Sequence, residues 1–109
     1  MLRIVPFAIS ALVVMALHTT PAEAQLSRKD TCVETSKIVR IASTLRASGN
    51  NKATVQHTLT KGNNKVEDPY VPMVAPLVDW VYTIDDGFVA TPGAPKAIAE
   101  KYRKDCLAF

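Results

Sequence analysis

Histidine and cysteine are scarce in these 109 residues, two of each, and tryptophan occurs once. The longest apolar run, Ile4 to Leu17, holds 14 residues and is interrupted by Pro6 and Ser10. A bilayer-crossing helix needs roughly 20 largely apolar residues, so this run falls short of a membrane anchor. Nitrogen and sulfur ligands are equally short: after the first segment only Cys32, Cys106 and His57 remain, whereas a structural zinc site wants four. A Gly-rich phosphate loop, a serine-nucleophile elbow, a paired-histidine motif and a calcium loop are all missing. An enzyme would have to work from His57, or from acids such as Asp79 and Asp86, which read as ordinary surface groups. The sequence therefore predicts a protein that is not an enzyme and requires no cofactor or metal.

What is present begins with a leader. Arg3, the apolar run, and the small residues Ala22 and Ala24 ahead of Gln25 make residues 1–24 a secretory signal peptide. A lipoprotein would carry cysteine at the new N-terminus, but Gln25 stands there and Cys32 lies seven residues further on. The expected product is a single domain, residues 25–109, still at net charge +3. Its expected location is periplasmic or secreted, with no stable membrane insertion after cleavage.

A domain of this size gains little stability margin from burial alone, and the exported compartment favours disulfides. Cys32 and Cys106 then have one intramolecular pairing open to them. Closing a loop of about 75 residues restricts the unfolded chain by roughly 4 kcal/mol in the chain-entropy model. A nucleophilic thiol is the weaker reading, because Cys106 follows Ile98, Ala99 and Tyr102 at helical spacing and so faces the core.

No stretch alternates with period two, and the periodicity predicts an all-α fold, a small bundle of about four helices. The first helix is expected from Thr31, where Thr31 and Glu34 fit a capping box, through Ile38, Val39, Ala42 and Leu45 to a stop at Gly49. A second spans about 51–61 with Val55 and Leu59 on one face, and carries His57 on its surface or boundary. After a polar connection, the prolines at 69, 72 and 76 place the start of a regular third helix near Pro76. Its stripe is Leu77, Val78, Val81 and Ile84, with Asp79 and Asp86 on one face and Asp85-Asp86-Gly87 as the closing turn. The segment FVATPGAP reads as a loop leading to a fourth helix, with Pro95 in its first turn. There Ile98, Ala99, Tyr102 and Cys106 share one face, and Lys96, Glu100 and Lys104 form a solvated one.

Tyr70, Trp80 and Tyr82 gather around the third helix. Two readings stand for Trp80: an exposed anchor for a protein partner, a role in which Trp and Tyr are enriched, or a cap on the small core. Basic residues, among them Arg28, Lys29, Lys37, Arg40, Lys61 and Lys65, are dispersed along the chain. Weak attraction to anionic envelope surfaces follows, and no specific nucleic-acid binding is indicated.

The early Cys32, Arg46-x-x-Gly49 at a helix end, Val81-Tyr82 before a proline-bearing loop, and Tyr102-x-x-x-Cys106 at the tail together form a recognisable pattern. It resembles a loose group of small exported two-cysteine helical proteins of Gram-negative bacteria and their phages. That resemblance implies a disulfide-closed helical periplasmic domain and brings no catalytic residues. In architecture the chain also looks like periplasmic immunity proteins and acid-stress chaperones of similar size. The expected function is binding of another protein in the periplasm, as an inhibitor or immunity factor does, with Trp80, Tyr82 and Tyr70 as contact residues. The alternatives are a periplasmic stress chaperone and a small envelope protein of another role.

Overall fold

Residues 28–109 are described by the computed structural model, so the signal peptide expected at 1–24 lies outside the described residues. The chain divides into two units at Asp30/Thr31. In the first, residues 28–30 are helical and exposed. The second, Thr31–Phe109, contains the buried core. Among the described residues there are five α-helices, one 3₁₀ turn and no strand. None of these helices is long and apolar enough to cross a membrane.

The first helix, α1, covers 28–47. Its stripe of Thr35, Ile38, Val39, Ala42 and Ser43 is at most 2% exposed, the spacing that puts one helical face against a core. The capping box expected at Thr31 does not form. Arg28, Lys29 and Asp30 contain neither glycine nor proline, so the helix is already running when it reaches Thr31. The Thr31 carbonyl accepts the Thr35 hydroxyl at 2.6 Å, and Glu34 pairs with Lys37 at 3.0 Å. The stop falls where the sequence places it. Gly49 takes a φ of 94°, its N–H donates to Arg46 O, and the Asn50 N–H donates to Leu45 O at 3.1 Å. Together they close the α1 carbonyls in a Schellman motif that only glycine enters without strain.

Asn51 then caps α2, Lys52–Thr60, by accepting the Thr54 N–H at 2.8 Å. Val55 and Leu59 are fully buried, and His57 is exposed. Gly62 follows because a Cβ there would lie 2.9 Å from the Thr58 Cα, which is backbone and cannot yield. In the polar connection the Val66 N–H donates to Leu59 O and Val66 packs on the core. Lys65 donates to Asp68 Oδ1 at 2.7 Å. That bond, with the ammonium's charge, holds the exposed carboxyl below its ordinary 3.8.

A 3₁₀ turn, Asp68–Tyr70, leads into α3, Val71–Val81, so α3 starts five residues before Pro76 and contains it. Pro72 lies in the first turn, where its missing N–H has no helical acceptor. Pro76 does remove an interior bond, a loss of about 3 kcal/mol. Against it, Val74, Val78 and Val81 are fully buried, worth roughly 1.5 kcal/mol or more each. Packing prevails over propensity. The helix also ends earlier than the stripe Leu77, Val78, Val81 and Ile84 implies, with Tyr82 at its C-cap and Ile84 beyond it; Leu77 and Ile84 are only partly buried.

Asp85-Asp86-Gly87 opens a helix where the sequence reading closes one. The Asp85 carboxylate accepts the Phe88 N–H and caps α4, Asp86–Val89. The expected loop FVATPGAP is thus partly helical, and the bundle gains its fifth helix. Ala94, Ile98 and Ala99 of α5, Ala94–Ala108, complete the core, with Pro95 in the first turn as expected. On its exposed side the observed ion pair is Lys101 with Asp105 at 3.2 Å; Lys96, Glu100 and Lys104 are exposed and form none among the described residues.

Cys32 and Cys106 form the expected disulfide, with Cα atoms 5.7 Å apart. Cys32 of α1 meets Cys106 of α5, while the 36–40 stretch lies beside 96–103, so the two helices run antiparallel. Neither sulfur is a free thiol.

Candidate binding groove

The inward positions of α3 are 74, 78 and 81. Trp80 is rotated about 100° from Val81 and 200° from Val78, which turns it away from the core. It is 43% exposed. Its indole is not left bare on both sides, because the Tyr102 ring of α5 lies tilted against it with centroids 5.9 Å apart. Of the two readings for Trp80, the geometry is that of a partly exposed side chain resting on one aromatic neighbour.

From this pair an open apolar groove of about 490 Å³ runs along α5. Ile84 and Phe88 form one wall, Ala97 and Ile98 lie toward one end, and Cys106 with Phe109 toward the other. Phe88 is 48% exposed and Phe109 89%. The span from Ala97 to Phe109 is about 18 Å at the helical rise of 1.5 Å per residue. Lys101 and Asp105 line the groove as a neutral pair, so its margin carries both signs and no net charge.

The structure does not bring the three sequence-named aromatics together. Trp80 is in the groove. Tyr82 turns toward the end of α1, where its hydroxyl donates to Asn50 O at 2.6 Å. Tyr70 packs on the core beside Ile38, Ile41 and Val66. Burial pushes the Tyr82 phenol above its ordinary 10.0, against the opposing pull of the Arg46 charge. Asp79 and Asp86 also separate: Asp79 pairs with Lys52 of α2 at 3.2 Å, and Asp86 belongs to α4 and pairs with Arg46.

Arg46 is the residue that sequence reasoning underrated. Its side chain is only 9% exposed. Nη1 donates to the carbonyls of Val81 at 2.7 Å and Ile84 at 2.8 Å, and Nη2 donates to Asp86. The guanidinium also lies 5.2 Å from the centroid of the Tyr82 ring. One side chain from α1 therefore ties the last carbonyl of α3, Val81 O, to that of Ile84 just beyond the helix and fixes the turn into α4. By setting the Ile84 backbone it positions the Ile84–Phe88 wall. Phe88 and Phe109 were missed as groove residues; the signal for Phe88 was Asp85 three residues before it, a helix cap that reads equally well as a turn.

Compared with family models, with curated proteins and with solved structures, the chain matches none.

Proposed function

We propose that this protein is a non-enzymatic binding factor of the cell envelope, of the inhibitor or immunity type, and that its groove receives an apolar helical face of a protein partner. The observation that carries the reading is the groove itself. Trp80, Phe88 and Phe109 remain substantially exposed along about 18 Å of α5, the length of roughly three helical turns. Aromatic residues in an apolar depression are the usual anchors of protein interfaces. The helix-in-groove mode supplies apolar contacts at i, i+3 or i+4 and i+7, a span of about 10.5 Å at the helical rise that fits within that length. The neutral Lys101–Asp105 pair at the margin suits a partner whose flanking positions carry both signs. Action outside the cytoplasm is supported by the Cys32–Cys106 bond, since such bonds persist in oxidising compartments, and by the leader expected at residues 1–24.

The test places a photo-reactive phenylalanine at position 88 and, as a control, at position 57 on the exposed face of α2, followed by irradiation of intact host cells. A discrete adduct from position 88 that disappears on Trp80→Ala, with none from position 57, supports the reading. Adducts of equal yield from both positions, or an adduct at 88 that is indifferent to Trp80→Ala, refute it.

A further inference from the structure

Four of the basic residues that are scattered along the sequence are gathered by the fold. Lys37 and Arg40 lie one turn apart on α1, and Lys96 and Arg103 lie two turns apart on α5. Antiparallel packing of the two helices brings all four around a shallow groove of about 190 Å³. Its floor is Ser36 and Ala99, 8% and 7% exposed. Among the described residues Glu100 is the one acid that lines it. The lining carries a formal charge of +3, equal to the net charge of the whole sequence.

Lys37 is engaged with Glu34, but among the described residues Arg40, Lys96 and Arg103 have no ion-pair partner. Like charges that line one groove repel one another, and a bound anion relieves that repulsion. Two of the three unpaired cations are arginines. Their planar forks match the oxygens of a phosphoryl group bidentately, which an ammonium cannot do. The groove's volume accommodates a headgroup of a few heavy atoms. On α5 this face is opposite the one bearing Lys101 and Asp105, so the site is independent of the apolar groove.

We propose that the α1–α5 groove binds a phosphoryl group, free as inorganic phosphate or carried as the headgroup of an anionic lipid, with Arg40 and Arg103 as the two forks and Lys96 between the helices as a point charge. Titration of the oxidised protein with inorganic phosphate, followed by amide NMR shifts, tests the free form. Flotation with phosphatidylcholine vesicles containing phosphatidic acid tests the lipid form, with vesicles of matched charge made with oleate as the comparison. The variants are Arg40→Gln with Arg103→Gln, the charge-preserving Arg40→Lys with Arg103→Lys, and a control of equal charge loss, Lys61→Gln with Lys65→Gln. All these side chains are exposed, and unchanged circular dichroism confirms each fold.

The proposal expects at least tenfold weaker binding for the glutamine pair, an intermediate loss for the lysine pair, and less than twofold change for the control. Shifts with free phosphate identify the soluble ligand, and binding confined to phosphatidic acid vesicles identifies the headgroup; either supports the site. Equal losses in the glutamine pair and the control, equal binding to oleate vesicles, or no binding to any probe overturns it.

Discussion

Replacing Arg46 with alanine should destabilise the protein far more than replacing its acidic partner. The Arg46 guanidinium is nearly excluded from solvent and donates to two carbonyls, Val81 O and Ile84 O. The Asp86 side chain that completes the ion pair is 97% exposed. Hydrogen bonds to a charged group contribute about 1.5–3 kcal/mol each. The two share one donor nitrogen and do not add in full, so truncation costs about 3 kcal/mol. For a domain of this size each kcal/mol moves Tm by roughly 4–8 °C, so Arg46→Ala lowers Tm by about 15 °C. Asp86→Ala removes an exposed partner and costs under about 1 kcal/mol. Arg46→Lys keeps the charge but loses the fork, and recovers less than half of the loss. Urea unfolding of the oxidised protein, followed by circular dichroism and by Trp80 fluorescence, gives all three values. Equal losses for Arg46→Ala and Asp86→Ala would falsify the reasoning, because the ion pair rather than the capped carbonyls would then be holding the junction.

Three further outcomes rest on single groups. Ser43 is fully buried on α1 and its hydroxyl has no hydrogen-bond partner among the described residues, so Ser43→Ala should raise stability by about 1 kcal/mol; a drop in the urea midpoint contradicts this. Pro76→Ala restores an interior donor to α3 at an exposed position, for a net gain of about 2 kcal/mol after the looser unfolded chain is counted; thermal unfolding of the variant checks it, and a lower Tm refutes it. Tyr82 titrates above 10.0 in the folded protein because burial disfavours its phenolate. Its raised value means that stability is fully present below pH 10 and falls as pH rises from there through the folded value. Tyr82→Phe should flatten that alkaline fall in a series of urea melts, and an unchanged slope argues against the assignment.

The all-helical class and the disulfide were legible because each rests on a strong local signal. The α1 stripe around Ile38 and Val39 repeats at helical spacing, and two cysteines allow only one internal pair. Gly49, Asn51 and Pro95 mark helix ends whose chemistry is local, and these ends fall where the residues put them. The start of α3 was not legible from Pro76 alone, because the opposing effect, burial of Val74, Val78 and Val81 against other helices, is tertiary. Asp85-Asp86-Gly87 fits both a turn and a cap, and only the Phe88 N–H on the Asp85 carboxylate distinguishes them. Arg46 and the basic groove escaped for one shared reason: the groups that Arg46 bonds lie 35 to 40 residues away, and the residues that line the groove with Arg40 include Lys96 and Arg103 of the far helix. Trp80 was picked out by residue type, but its groove neighbours come from α4 and α5, which no spacing within α3 announces.

The claim on which the account most depends is that α1 and α5 are joined covalently, since Cys106 lies in the wall of the apolar groove and both helices form the basic one. Peptide mapping by mass spectrometry, on protein taken from its host without reductant and alkylated before digestion, tests it directly. A single linked species joining the Cys32 and Cys106 peptides is the predicted result. Recovery of both cysteines in alkylated form contradicts it.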